Sequence, residues 1–113
     1  MAVDKSLISG STTLLILSLL EEKDMYGYEM IDTLKGKSNN EFELKAGTLY
    51  PLLHSMEEKG WLSVYEQEAG GKMRKYYRIT RDGKKQYQAK KKEWKAYSEA
   101  ILQVIGGVCF GTA

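Results

Sequence analysis

The stretch AGTLYPLLHSMEEKGW, residues 46–61, combines a helical pattern with two residues that disfavour helices. Its apolar stripe follows the spacing i, i+3, i+4 and i+7, which predicts an amphipathic helix, and consists of Leu49, Leu52, Leu53 and Met56. Gly47 and Pro51 stand within or beside this stripe, although both destabilise helix interiors. The pattern predicts a helix that ends at Gly60 and raises the question of what its other face contacts.

The residues off the stripe are predicted to face outward, and they are Thr48, Tyr50, Pro51 and His54. Lys45 opens the helix, and a lysine side chain cannot accept hydrogen bonds from the first-turn amides. The helix start is therefore poorly capped unless Thr48 or Glu43 serves as the cap. In that position Lys45 is placed to reach an anion.

Two more helices are predicted upstream. The first covers residues 5–22, and its second half is apolar nearly all round, which predicts burial on more than one side. The second, MYGYEMIDTLKG, has Asp24 as its expected cap. Its inward face consists of Gly27, Met30, Ile31 and Leu34. The glycine on that face predicts a close approach of two helices.

A hairpin is predicted downstream, because WLSVYEQE and MRKYYRIT are β-favouring runs on either side of AGGK. Alternation places Leu62 and Val64 on one face, with Tyr77 and Ile79 opposite them. The other face of the second strand carries Arg74, Tyr76 and Arg78.

The last helix is predicted over residues 81–108, with Thr80 as its cap and Asp82 in its first turn. A heptad-like seam along it consists of Tyr87, Trp94, Tyr97, Ile101 and Val104. Packing on its own domain is the alternative to dimerisation. Dimerisation is favoured because one small domain has no place to bury a projecting basic first half followed by an apolar second half. Residues 109–113 are expected to form a flexible tail.

Three helices followed by a two-stranded hairpin is the order of a winged helix-turn-helix. We therefore predict an α+β, mostly helical fold with a winged helix-turn-helix DNA-binding domain over 5–80 and a C-terminal dimerisation helix over 81–108. In this architecture the third helix enters the major groove of DNA, and the hairpin lies against the flanking backbone or minor groove.

The charge distribution agrees with a polyanionic partner. Residues 1–69 carry 6 Lys and Arg against 12 Asp and Glu, whereas residues 70–113 carry 11 against 3. Such asymmetry favours contact with nucleic acid at the basic end, although a solvated lysine-rich helix face explains it equally well. The basic excess begins at the hairpin tip with Lys72, Arg74, Lys75 and Arg78.

The composition argues against several other classes. The longest apolar run, residues 14–20, is shorter than the roughly 20 residues that span a bilayer, and no secretory signal opens the sequence, so a cytoplasmic protein is expected. The single cysteine, Cys109, excludes an internal disulfide and a cysteine-only metal cage. With one histidine, no paired catalytic carboxylates and no phosphate loop, the sequence predicts neither an enzyme nor a cofactor or metal site.

The runs YGYEM, GTLYPLLHSMEEKGWL and GGKMRKYYRIT resemble the successive motifs of the PadR family of transcriptional regulators. The resemblance extends from about Leu7 to Val104, and the short length and single last helix resemble the small subfamily that includes multidrug-responsive repressors. The sequence departs from the family pattern at Lys45, where the family usually has Ser or Asn, and at Ala46, where proline is common.

The resemblance implies a homodimeric repressor that binds a roughly palindromic operator. The residues expected to contact DNA are Lys45, Gly47, Thr48, Tyr50, Pro51 and His54 in the third helix, Tyr28 in the second, and Lys72, Arg74 and Lys75 in the hairpin. Tyr26 and Tyr28 both open the second helix, and the sequence leaves open which of them is core. A winged-helix interaction module without DNA binding is the alternative function.

The resemblance also implies an effector site, because a tryptophan on the last helix of the small subfamily lines a pore between subunits. Trp94 occupies the matching place. A planar hydrophobic ligand is expected to stack on Trp94 and Tyr97, near Ile8, Thr12 and Leu15 of the first helix. A plain aromatic dimer seam is the alternative at this position.

Overall fold

A computed structural model describes residues 11–106 of the 113-residue chain. Within this range the chain forms helices α1 (Thr12–Glu22), α2 (Gly27–Lys37), α3 (Ala46–Glu58) and α4 (Arg81–Val104), and strands β1 (Met25–Tyr26), β2 (Leu62–Ala69) and β3 (Lys72–Ile79). The strands form one antiparallel sheet in the order β1-β3-β2. The expected α+β winged helix-turn-helix is confirmed. We call α3 the recognition helix and the β2–β3 hairpin the wing.

The apolar stripe of the recognition helix faces the core, as its spacing predicts. Leu49, Leu53 and Met56 are buried, and Leu52 packs partly buried against the same cluster. Burial of each such side chain stabilises the fold by about 1.5–3 kcal/mol. The helix ends where Gly60 takes a positive φ of 81°, a conformation that glycine adopts without strain.

Helix α2 packs against α3 through the face predicted for it. Met30 and Leu34 are buried, and Ile31 packs against the core. Gly27 is also buried, and a Cβ at that position would collide with the phenol ring of Tyr50. The predicted close approach at Gly27 is therefore confirmed, with an aromatic side chain as the approaching group.

The wing has the predicted register. Leu62 pairs with Ile79 and Val64 with Tyr77, so these four side chains share the face that covers the core. Gly70 and Gly71 at the tip have φ values of 62° and 80°, which is the pattern of a two-residue type I′ turn.

The start of the domain differs from the prediction in two ways. The helix expected over 5–22 begins at Thr12, with Ser11 as its N-cap residue, and residues 5–10 lie outside the described residues. Asp24 does not cap α2, whose N-cap is Tyr26. The intervening Met25 and Tyr26 instead form β1, which pairs with Tyr77 and Tyr76. A strand of two residues is too short to show periodicity in the sequence.

Helix α4 begins as predicted and ends earlier. The Thr80 hydroxyl accepts a hydrogen bond from the Gly83 N–H at 3.0 Å. Gly83 is buried, and a Cβ there would collide with the Trp61 carbonyl oxygen, which ties the start of α4 to the end of the recognition helix. The helix ends at Val104 instead of residue 108, and the tail predicted over 109–113 lies outside the described residues. None of the described helices is long and apolar enough to cross a membrane.

Candidate nucleic-acid interface

The outward face of the recognition helix is largely as predicted. The exposed residues from its start to His54 are Lys45, Gly47, Thr48, Pro51 and His54. They leave the N-terminal half of the helix accessible to a partner, since the opposite stripe is buried in the core.

Tyr50 was expected on the same exposed face, and this expectation is wrong in part. The side chain is half-buried and packs against the core, with its ring over Gly27. The helical position of Tyr50 does lie off the apolar stripe, but the missing side chain at Gly27 opens a space between α2 and α3 that the ring fills. Tyr50 therefore holds the two helices together and presents at most part of its surface.

The start of the recognition helix has no side-chain cap from its N-cap residue. Lys45 stands at the N-cap in an extended conformation and makes no capping hydrogen bond. The Lys45 carbonyl accepts hydrogen bonds from the N–H groups of Thr48 and Leu49. The carboxylate of Glu43, which was one of the possible caps, lies 3.8 Å from the Lys35 ammonium. First-turn amides that point outward, together with the helix dipole, form a favourable site for an anion.

Gly47 lies in this uncapped turn, and nothing within residues 11–106 requires a glycine there. A Cβ at Gly47 would meet no atom within 4 Å, and its φ is not positive. Glycine costs a helix up to about 1 kcal/mol relative to alanine. An external partner that approaches the backbone closely is a physical reason for this glycine.

The structure distinguishes the two tyrosines at the start of α2. Tyr28 is 58% exposed. Tyr26 is half-buried, and its ring packs edge-on against Tyr76 at a centroid distance of 5.5 Å. Tyr28 is therefore the member of the pair that is accessible to a partner, a choice that the sequence left open.

The basic residues of the wing are divided between two faces of the hairpin. Alternation along β3 places Lys72 and Arg74 on the outer face, which points away from the core, and Lys75 on the face of Tyr77. Lys75 lies opposite Glu66 on the neighbouring strand. The sequence predicted DNA contacts for all three residues, and the register places Lys72 and Arg74 on one face and Lys75 on the other.

Arg74 is held in place by neutral groups. Its guanidinium lies 4.5 Å from the centre of the Tyr26 ring, and its Nε–H donates to the Ala69 carbonyl at 3.2 Å. Within residues 11–106 Arg74 has no ion-pair partner. Its positive charge is thus ordered but not neutralised, a combination that suits a phosphate.

Arg78, four residues along the same face, is neutralised. Its guanidinium contacts the Asp24 carboxylate through Nε and Nη2, both at 3.0 Å. The same Asp24 oxygen accepts a hydrogen bond from the Tyr65 hydroxyl at 2.7 Å. No sequence pattern indicates this cluster, because Tyr65 and Arg78 follow Asp24 by 41 and 54 residues.

The three parts of the candidate interface lie close enough to influence one another. Burial raises the pKa of the Tyr50 phenol, the neighbouring Tyr28 phenol adds to the rise, and the positive charge of Arg74 opposes it. The Tyr50 phenol of the recognition helix therefore lies within electrostatic range of both the start of α2 and the wing.

The second half of α4 carries the exposed apolar side chains predicted for it. Trp94 is 47% and Val104 86% exposed, and Tyr97 and Ile101 are exposed as well. Tyr87 differs, since it packs against the core and its hydroxyl donates to the Ser18 hydroxyl at 3.5 Å. The first half of α4 thus packs on its own domain, and the projecting part is the second half.

The residues expected around a ligand are only partly accessible. The rings of Trp94 and Tyr97 lie 5.9 Å apart and are tilted by 41°. Thr12 is 2% exposed and Leu15 packs partly buried against the core, so Thr12 does not offer the open surface that a ligand contact requires. Ile8 lies outside the described residues.

The part of the chain that the structure describes contains no group of three or more His, Cys, Asp or Glu side chains able to hold a metal ion. The surface described above consists instead of a helix N-terminus, hydroxyls and ordered cations.

Comparison with known proteins identifies the family that the chain resembles. A family model described as the transcriptional regulator PadR-like family matches residues 16–89.

The chain belongs to the PadR-like family of transcriptional regulators. A transcriptional regulator from Clostridium thermocellum is 36% identical in the structural alignment, with a TM-score of 0.82 and coverage of 88% of this chain and 97% of that one. A PadR family regulator from Clostridium difficile is 37% identical, with a TM-score of 0.72 and coverage of 84% and 98%. An uncharacterised protein of Lysinibacillus sphaericus is 40% identical over 94% of this chain and 98% of its own length.

Membership of the PadR-like family confirms a DNA-binding transcriptional regulator, and it agrees with the prediction that the chain is not an enzyme. The match includes α2, the recognition helix and the wing, which are the elements that form the candidate interface. The multidrug-responsive subfamily and the roles of individual residues remain predictions.

Proposed function

We propose that this PadR-like chain is a homodimeric repressor that binds a roughly palindromic DNA operator and is released by a planar hydrophobic ligand. The observation that carries the proposal is the exposed, uncapped start of the recognition helix, with Gly47 in its first turn. Its amides offer a phosphate both hydrogen-bond donors and the positive end of the helix dipole. Lys45 adds a cation at the same end.

Contacts to DNA divide into those that position the protein and those that select the sequence. Lys45, Thr48 and the amide of Gly47 would contact phosphates, and Lys72 and Arg74 would contact the backbone or minor groove beside the wing. His54 lies further along the exposed face of the recognition helix. It is placed to contact a base edge in the major groove.

Dimerisation is supported by the exposed apolar side chains on α4. Trp94, Tyr97, Ile101 and Val104 lie on the part of the helix that projects beyond its own domain, and exposed apolar surface of this kind marks interaction sites. A second copy of the chain, with its own α4 crossed against this one, would cover them. Two-fold symmetry of such a dimer requires half-sites about 10 bp apart or a multiple of it.

The ligand would bind at the aromatic pair on α4. The aromatic pair Trp94 and Tyr97 offers ring faces on the same surface that would join the subunits. A planar ligand inserted there would change the distance between the two recognition helices. Binding to one arrangement of the dimer in preference to the other would then weaken DNA binding.

Salt dependence of DNA binding tests the proposal. The probe is a palindromic duplex selected from random DNA with the wild-type protein, and the test protein is Lys72→Ala/Arg74→Ala. Each lost phosphate contact should lower the slope of log affinity against log salt by about 0.9. Lys91→Ala/Lys92→Ala removes the same charge from an exposed part of α4 and should leave the slope nearly unchanged.

Equal slopes for the wing variant and the wild type would contradict the proposed wing contacts. Failure of the wild-type protein to bind any duplex selectively would favour the alternative, a winged-helix interaction module without DNA binding.

A further inference from the structure

Three residues join the end of α1 to the base of the wing. The Asp24 carboxylate accepts hydrogen bonds from the Tyr65 hydroxyl on β2 and from the Arg78 guanidinium on β3. The Arg78 guanidinium also lies 5.1 Å from the centre of the Tyr65 ring. We call these three residues the Asp24 cluster.

The Asp24 cluster fixes the wing from the side opposite to the core. On the inner face the hairpin is held by the apolar side chains of Leu62, Val64, Tyr77 and Ile79. On the outer face Tyr65 stacks on Tyr76, and Tyr76 packs against Tyr26 of β1. Asp24 lies directly before β1 and contacts one residue on each strand of the hairpin, Tyr65 on β2 and Arg78 on β3.

The charges in the Asp24 cluster argue against a direct role in DNA binding. A carboxylate on a DNA-facing surface repels phosphate, and Asp24 also neutralises Arg78, a cation that would otherwise attract it. Arg74 on the same face has no such partner within the described residues. The cluster therefore weakens the electrostatic attraction of this face, and its contribution to binding must come from geometry.

We infer that Asp24 is a positioning residue, which orients the wing through Tyr65 and Arg78 so that Arg74 and the recognition helix meet the same duplex. This inference rests on the proposed function. Without the Asp24 cluster the hairpin would be attached by its apolar inner face and the two-residue pairing with β1, and it would be freer to tilt about its base. Ordering it again on binding costs free energy and so lowers affinity.

Tyr65→Phe separates positioning from charge, because it removes one hydrogen bond to Asp24 without changing the net charge. Affinity is measured by fluorescence anisotropy on the selected palindromic duplex and on a duplex of random sequence. We expect the loss of one hydrogen bond to a charged group to weaken binding to the palindrome by about 3–10-fold. Tyr87→Phe, which removes one hydroxyl hydrogen bond, to Ser18 within the domain, is the matched control and should bind like the wild type.

The same substitution in the Lys72→Ala/Arg74→Ala background identifies the route of the effect. If Tyr65 acts through the wing, Tyr65→Phe should have almost no further effect on affinity once the wing contacts are gone. An equal loss in both backgrounds would overturn the inference, because it would show a general effect on the domain. Thermal unfolding of each variant checks that the fold is kept.

Asp24→Ala gives a second test, in which electrostatics and positioning predict opposite changes in affinity. Removal of a carboxylate raises the net positive charge by one, so electrostatics alone predicts tighter binding. Positioning predicts weaker binding to the palindrome. Wild-type affinity in Tyr65→Phe, or tighter binding in a folded Asp24→Ala protein, would overturn the inference and leave the proposed function intact. If the wild-type protein itself did not bind the palindrome, the proposed function would be overturned.

Discussion

The phenol ring of Tyr50 occupies the space that a side chain at Gly27 would fill. This contact joins the recognition helix to α2 and brings the Tyr50 hydroxyl near Tyr28 and Arg74. The close packing of the helix-turn-helix therefore depends on the Tyr50 ring and on the absence of a side chain at Gly27.

Gly27→Ala should destabilise the domain by about 1–3 kcal/mol, because the new Cβ collides with the Tyr50 ring. Urea unfolding measures the change in the free energy of unfolding. Tyr50→Ala removes the ring, so Gly27→Ala should cost almost no stability in the Tyr50→Ala background. The effects of the two substitutions should therefore be clearly non-additive. Strictly additive losses would show that the two residues do not compete for this space.

Gly47→Ala should have opposite effects on stability and on DNA binding. The Cβ meets no atom of the described residues within 4 Å, so the helix should gain about 0.5–1 kcal/mol of stability. The added methyl group should keep the backbone away from phosphate and weaken binding. Gly36→Ala in α2 is the matched control, since Gly36 is also helical with no atom near its Cβ. Gly36→Ala should stabilise the fold without changing affinity, and equal affinity in both variants would refute the role given to Gly47.

Periodic patterns in the sequence predicted most of the fold. The stripe that begins at Leu49 fixed the inner face of the recognition helix, and alternation in the wing fixed the pairing of Val64 with Tyr77. Thr80 was predicted as the cap of α4 because a hydroxyl stands directly before a helical pattern. These features are local, so neighbouring residues are sufficient to indicate them.

The errors concern contacts between distant parts of the chain. Asp24 was assigned to the nearest helix, whereas its partners Tyr65 and Arg78 come from the hairpin. Tyr50 was assigned to solvent because the helical pattern of α3 contains no information about the space above Gly27. Functional surfaces are built from such contacts, which explains why the candidate interface was predicted less completely than the fold.

Alkaline pH should destabilise the protein through its tyrosines. Burial raises the pKa of Tyr50 and Tyr77, and the hydrogen bond to Asp24 is the largest cause of the raised pKa of Tyr65. The unfolded chain loses these protons near pH 10, whereas the folded protein retains them to higher pH. The free energy of unfolding should therefore be unaffected by these groups below pH 10 and fall as pH rises above it.

Urea unfolding between pH 8 and pH 11 measures this decrease. Tyr77→Phe removes one buried titrating hydroxyl and should make the decrease shallower, which separates tyrosine ionisation from the loss of lysine charges. An identical pH dependence in wild type and variant would contradict the assignment to Tyr77.

Trp94→Ala should abolish the quenching of tryptophan fluorescence by planar aromatic compounds while the dimer persists. Trp94 is exposed beside Tyr97. Trp61 is half-buried between the end of α3 and the start of β2, and Lys59 and Lys90 lie near its ring. Trp61→Phe is the matched control and should retain the quenching. Sedimentation velocity reports the oligomeric state, and quenching that survives in Trp94→Ala would contradict the proposed ligand site.

Selection of bound duplexes from a pool of random DNA tests the central claim most directly, because it examines DNA binding, sequence preference and symmetry together. A homodimer with two recognition helices should enrich palindromes whose half-sites lie about 10 bp apart, or a multiple of that distance. Enrichment of a single asymmetric site, or of no sequence at all, would contradict the account.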